Sequence, residues 1–171
     1  LYHNDFDKQS NMYRQAIARK NKLTSFLREN NYEKLSKRPN VTIYTGKGSL
    51  VSANTVKVAL PEEEIELQGK EIFINTGSTP IIPNIEGIQQ SRNVYTSTTL
   101  LELDILPKHL IIVGGGYIGL EFASMYAGFG SKVTLLEAGN RFMPRNDSDI
   151  AKSVREVMEK KGVEIRLNVR T

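Results

Sequence analysis

Residues 110–121 read LIIVGGGYIGLE. An apolar run, Leu110 to Val113, meets glycines at 114, 115, 116 and 119, and helical spacing follows from Tyr117 to Phe129. A continuous apolar run of this length describes a strand buried on both faces. Working outward, Lys132–Leu136 reads as a second buried strand and Asp147–Lys161 as a helix. Ile150, Val154, Val157 and Met158 share one face of that helix, with Asn146 or Asp147 available as its cap. Val163–Leu167 gives a third strand. Strand, helix, strand, helix, strand with tight turns predicts a parallel sheet with right-handed crossovers.

The glycines have separate tasks. Gly114, Gly116 and Gly119 satisfy G-x-G-x-x-G directly after a strand and at the start of a helix, the context that gives the pattern meaning. Gly114 permits the tight turn, Gly116 lets the backbone approach a pyrophosphate, and Gly119 lets the helix pack on the strand. Gly115 and Ile118 lie within the same turn and helix start, where free N–H groups and about half a positive charge face a phosphate. Glu137 ends the next strand, 23 residues after Gly114. Its carboxylate suits the hydroxyls of an adenine ribose and repels a 2′-phosphate, which favours NADH over NADPH. FAD uses the same kind of motif, so the spacing alone leaves the dinucleotide open.

More than a hundred residues precede this turn. Residues 6–30 read as an amphipathic helix, with Tyr13, Ala16, Ile17, Leu23, Phe26 and Leu27 at three- and four-residue steps and Asp5 or Asp7 as cap. From Asn40 to Ile74 short alternating runs (Val41–Tyr44, Ser49–Val51, Thr55–Val58, Ile65–Leu67) separated by Gly, Asn or Pro predict antiparallel strands in a meander. Glu71–Asn75 reads as a buried strand stopping at the turn Thr76-Gly77-Ser78. Pro80, Pro83 and Gly87 make the next stretch extended and loop-like.

Composition narrows the functions. The chain has no Cys and two His, which excludes disulfides, thiolate sites and a thiol nucleophile within these residues and disfavours a His-based metal site; no metal is expected. No run approaches the roughly 18 apolar residues of a membrane span, and no signal-peptide pattern is present. Residues 1–40 carry nine Lys or Arg against four acids, but these alternate with Asn, Gln and Ser and lack an aromatic-basic platform. They read as a solvated helix face rather than a nucleic-acid surface. Leu1 stands where a Met would open a chain, and Thr171 directly follows a strand, so both ends read as cut.

Three stretches occur in an order that decides the dinucleotide question: IFINTGSTPIIPNIEG (72–87), LPKHLIIVGGGYIGLEFA (106–123) and VTLLEAGNRFMPRNDSDI (133–150). Together they resemble the flavin-dependent pyridine nucleotide-disulfide oxidoreductases, which include dihydrolipoamide dehydrogenase, glutathione reductase and mercuric reductase. The resemblance covers essentially the whole chain. It implies an α/β fold in which a Rossmann-like three-layer parallel sheet forms the NAD half, beside part of an FAD domain with an antiparallel meander. Residues 1–80 then belong to the FAD domain, 81–106 to a crossover linker, and 107–171 to the first part of the NAD(P) domain. The family's first glycine fingerprint and its redox cysteine pair are expected upstream of Leu1, and its dimerisation domain beyond Thr171.

The resemblance also assigns roles. Tyr117 stands where family members place an aromatic gate over the nicotinamide, and Glu121 where a glutamate faces the flavin and pairs with a lysine. Gly48 and Thr76, Gly77 and Ser78 resemble contacts to the FAD adenosine end. The implied activity is hydride transfer between a nicotinamide and FAD, then onward to a disulfide or other small-molecule acceptor, in a cytoplasmic homodimer. The segment alone is expected to be inert, to hold no tight FAD and to bind NAD weakly, with self-association or partial disorder around residues 41–95. The alternative is a non-catalytic module that binds NAD and senses redox state.

Overall fold

A computed structural model describes residues 5–170. The chain forms two compact units, Leu1–Asn21 with Pro80–Thr171, and Lys22–Thr79. No helix among the described residues is long and apolar enough to cross a membrane.

Helix α1 runs Phe6–Ser36, six residues beyond the expected end. Asp5 caps it, accepting from the Lys8 N–H at 3.1 Å. Nothing between Asn30 and Ser36 breaks a helix, Lys37 pairs with Glu33 at 2.6 Å, and the first breaker is Pro39. Of its apolar positions, Tyr13 is buried while Leu23, Phe26 and Leu27 are exposed.

The unit from Lys22 to Thr79 contains β1 (Lys47–Ser52), β2 (Thr55–Ala59) and β3 (Glu64–Gln68), an antiparallel sheet in the order β1-β2-β3. This is the expected meander with one strand fewer. Val41–Tyr44 lies outside the sheet. The β1 ladder begins at Lys47 opposite Ala59, and β2 stops there because Leu60 turns back to bond Glu63 and Pro61 has no N–H to offer. No β2 backbone remains to pair with residues 41–44. Glu71–Asn75 also departs from expectation. It is irregular, with Phe73 and Ile74 exposed, because no strand among the described residues runs beside it to complete a ladder.

The other unit holds a parallel sheet, β4 (His109–Val113), β5 (Lys132–Leu136) and β6 (Val163–Arg166), in that order. A four-residue helix, α2 (Ser97–Leu100), interrupts the stretch expected to be loop; Thr96 and Thr99 close a reciprocal capping box at its start. Helix α3 (Tyr117–Phe129) links β4 to β5 and α4 (Ser148–Lys160) links β5 to β6. Right-handed crossovers stepping the same way along a sheet put both helices on one face. Leu110, Ile112, Val133, Leu135, Val163 and Ile165 therefore pack with Leu120, Ala123 and Tyr126 of α3 and Ala151 and Met158 of α4.

The opposite face is uncovered at β4, where Ile111 and Val113 are 57% and 53% exposed. The expectation that β4 is buried on both faces is corrected: both described helices lie on the other side. Thr134, facing the uncovered side of β5, is buried and takes a contact from His109 Nε2 at 2.9 Å while donating to Glu164 Oε2 at 3.1 Å.

The N-terminal part of α1 is anchored to this unit by two tyrosines. Tyr13 and Tyr126 are almost wholly buried, their hydroxyls 2.9 Å apart. The Tyr13 hydroxyl also donates to the Leu103 carbonyl at 2.7 Å, and the Tyr126 hydroxyl lies 3.2 Å from the Leu100 carbonyl. Burial pushes both hydroxyl pKa values up, so both remain donors. Phe129 completes the cluster edge-on to Tyr13 at 5.2 Å.

Candidate dinucleotide cleft

The chain leaves β4 through a turn that only glycine makes without strain. Gly114 adopts φ +104°, and its N–H bonds the Leu136 carbonyl at 2.8 Å, fastening the turn to the end of β5. Gly116 is the extended residue before α3, with no side-chain cap, and a Cβ placed there would meet nothing within 4 Å. The first intrahelical bond runs from Leu120 N–H to the Gly116 carbonyl at 3.0 Å. The amides of Tyr117, Ile118 and Gly119 therefore have no helical acceptor, and the space over Gly116 is open, which is what an anion needs. Gly119 is required by packing: a Cβ there would drive into the Gly114 carbonyl oxygen and lie 3.3 Å from Ile112 Cγ2.

Glu137 closes the other side of the turn. Its Oε2 accepts from Gly115 N–H and its Oε1 from Gly139 N–H, both at 2.9 Å. The Gly139 bond first, then that from Gly115, holds the carboxyl below the usual glutamate value of 4.5. This accounts for a glycine the spacing did not explain. Gly115 is buried, and a Cβ on it would sit 3.0 Å from Glu137 Oε2.

A cleft of about 230 Å³ opens in front of the turn, lined by Gly115, Gly116, Tyr117 and Glu137 on one side and Met143 to Asn146 on the other. Tyr117, mostly exposed, reaches across it: its hydroxyl is 3.3 Å from Asn146 Nδ2 and 3.4 Å from Asn146 Oδ1. Asn146 does not cap α4. Asp147 takes the cap position, with no side-chain bond of its own. Met143 is buried with φ +49°, an uncommon conformation for a side-chain-bearing residue in the wall of a cleft. The loop 138–147 carried turn residues in its sequence but no spacing that predicts these contacts.

The structure thus brings Gly114, Gly115, Gly116, Tyr117, Gly119 and Glu137 together, with Ile118 exposed on the first turn of α3. Glu121 lies on the same helix, exposed, and belongs to no ion pair among the described residues. The remaining candidates belong to the other unit. Gly48 stands in β1 opposite Val58 and has room for a side chain, while Gly77 needs glycine for its φ of +70° in the exposed turn Thr76–Ser78.

Residues 5–171 match the pyridine nucleotide-disulphide oxidoreductase family. The chain belongs to that family. It is 48% identical over 153 residues to the probable pyridine nucleotide-disulfide oxidoreductase RclA of Escherichia coli, a match covering 90% of this chain and 35% of that protein. It is 38% identical over 134 residues to the dihydrolipoyl dehydrogenase of Acholeplasma laidlawii, covering 77% of this chain and 39% of the relative. The structure superposes on the solved Cu(II) complex of the HOCl-induced flavoprotein disulfide reductase RclA from Escherichia coli with a TM-score of 0.89. That superposition has 43% identity and covers 96% of this chain and 38% of the other. The chain spans between a quarter and two fifths of the length of the curated relatives it matches.

Proposed function

We propose that this chain supplies the nicotinamide-dinucleotide site of an FAD-dependent oxidoreductase, in which hydride passes between nicotinamide and flavin and then to a disulfide or other small-molecule acceptor. The observation that carries the reading is the turn Gly114–Gly119 at the open start of α3, with a fixed carboxylate at the end of the adjacent strand. The residues fit an adenine dinucleotide. Gly116 and the first amides of α3 take the pyrophosphate, and the free lone pairs of Glu137 accept the hydroxyls of the adenine ribose. Tyr117 is placed as the aromatic gate over the nicotinamide. The bound nicotinamide supplies the hydride chemistry; the protein supplies orientation and exclusion.

Toward the flavin, the roles expected of Glu121, Gly48 and Thr76–Ser78 extend the same proposal, and all of these residues are exposed. The intact enzyme on this reading is a cytoplasmic homodimer, with residues 1–80 in its FAD domain, 81–106 crossing over, and 107–171 opening its NAD(P) domain. The segment by itself turns over nothing.

NADH is the preferred cofactor. Glu137 is ionised and held by two backbone donors, so it cannot swing away from a 2′-phosphate. Arg145, in the wall of the same cleft, is a cation available to offset it. Comparing kcat/KM for NADH and NADPH in the full-length enzyme tests this. At least tenfold in favour of NADH is expected, about 1.4 kcal/mol of transition-state stabilisation, and tenfold in favour of NADPH would overturn it.

A further inference from the structure

Three consecutive glycines are a costly way to build a binding surface, because each loses more backbone freedom on ordering than any other residue. Something must hold Gly114–Gly116 in one shape before a ligand arrives. Gly114 is held by backbone alone, its N–H on the Leu136 carbonyl. Gly116 is exposed and has open space over it. Between them, Gly115 is buried, and its N–H is taken by a side chain, Glu137 Oε2 at 2.9 Å.

That side chain is itself anchored. Its other oxygen accepts from Gly139 N–H at 2.9 Å. Its own N–H bonds the Arg166 carbonyl at 2.8 Å, and its carbonyl accepts from Val169 N–H at 3.1 Å. The carboxylate is therefore fixed to the ends of β5 and β6 and reaches from there to the turn after β4. A neutral acceptor would make a weaker bond to Gly115, since charge-assisted hydrogen bonds are roughly twice as strong.

We infer that Glu137 is a positioning residue for the phosphate cradle: its carboxylate braces the Gly114–Gly116 turn from behind, so that dinucleotide affinity depends on Glu137 even for a ligand with no ribose hydroxyls to offer. The inference rests on the reading that this cleft takes a nicotinamide dinucleotide, and extends it. A corollary is that Gly115 N–H, committed to Glu137, is not a phosphate donor; that task falls to Gly116 and the first amides of α3.

The test uses the 171-residue chain, ¹⁵N-labelled, and its Glu137→Gln variant, with NADH and 2′,3′-dideoxy-ADP as probes. Glutamine keeps one acceptor oxygen and turns an NH₂ toward the second N–H, so one of the two backbone bonds is lost. The expected result is an upfield move of the Gly115 amide proton and weaker binding of both probes, about tenfold for dideoxy-ADP and more for NADH, which also loses a ribose acceptor. If the variant binds NADH less tightly but dideoxy-ADP as well as before, Glu137 acts through the ribose alone and the inference is overturned. Hydrogen exchange in the unsubstituted chain gives a reading independent of how the variant folds. Gly115 should exchange far more slowly than Gly116, and equal rates would overturn the brace. Should neither probe bind the unsubstituted chain, the dinucleotide reading fails, while the amide comparison still decides the brace.

Discussion

Replacing Gly119 by valine is expected to lower the stability of the parallel-sheet unit by about 3 kcal/mol and to remove NADH binding with it. The magnitude follows from what the new Cβ meets. It falls on the Gly114 carbonyl oxygen, which is backbone, and against Ile112 Cγ2 at 3.3 Å. Neither yields easily. Gly114 is fastened through its N–H to Leu136 at 2.8 Å, and Ile112 packs in the core between sheet and helices. Helix α3 must rise off β4, which tilts its first amides away from the phosphate position. Urea unfolding and an NADH titration on the same variant measure the two losses. A stability within about 0.5 kcal/mol of the unsubstituted chain would show that the helix has slack the structure does not display.

Tyr126→Ala should cost about as much again, 3–5 kcal/mol, because Tyr126 is fully buried and touches both Tyr13 and Phe122. The phenylalanine variant separates the hydroxyl from the ring. Two hydroxyl protons serve three oxygen–oxygen contacts in this cluster, at 2.7, 2.9 and 3.2 Å. The short one is Tyr13 donating to Leu103, so the Tyr126 proton is shared between Tyr13 and the Leu100 carbonyl. Tyr126→Phe removes that proton and leaves Tyr13 bonded, for a loss of about 1 kcal/mol. Thermal unfolding of the two variants gives both numbers. Equal losses would mean that the ring adds nothing to the hydroxyl, against the close packing around it.

What the sequence disclosed and withheld divides along the range of the forces involved. Gly114 and Gly119 were legible because a backbone dihedral and a missing Cβ are local demands, visible in spacing. Glu137 was legible by its place at a strand end. The bond from its carboxylate to Gly115 was not, since it depends on how closely the ends of β4 and β5 lie, which no local pattern encodes. The same holds for Tyr117 and Asn146, 29 residues apart. Apolar content overstates strands where no partner strand is at hand. Val41–Tyr44 and Glu71–Asn75 have the right residues, yet a strand needs a neighbour with free backbone groups. The exposure of Ile111 and Val113 has a related origin, for an apolar run reports a preference for cover and not which face receives it.

On this reading a nicotinamide dinucleotide binds in front of the Gly114–Gly119 turn. Titrating the ¹⁵N-labelled chain with NADH, and separately with NADPH, tests it residue by residue. Saturable amide shifts are expected, concentrated at Gly116, Tyr117, Ile118, Glu137, Arg145 and Asn146 and reached at lower concentration with NADH than with NADPH. Shifts that do not saturate there, or that are largest on the meander from Lys47 to Gln68, would contradict it.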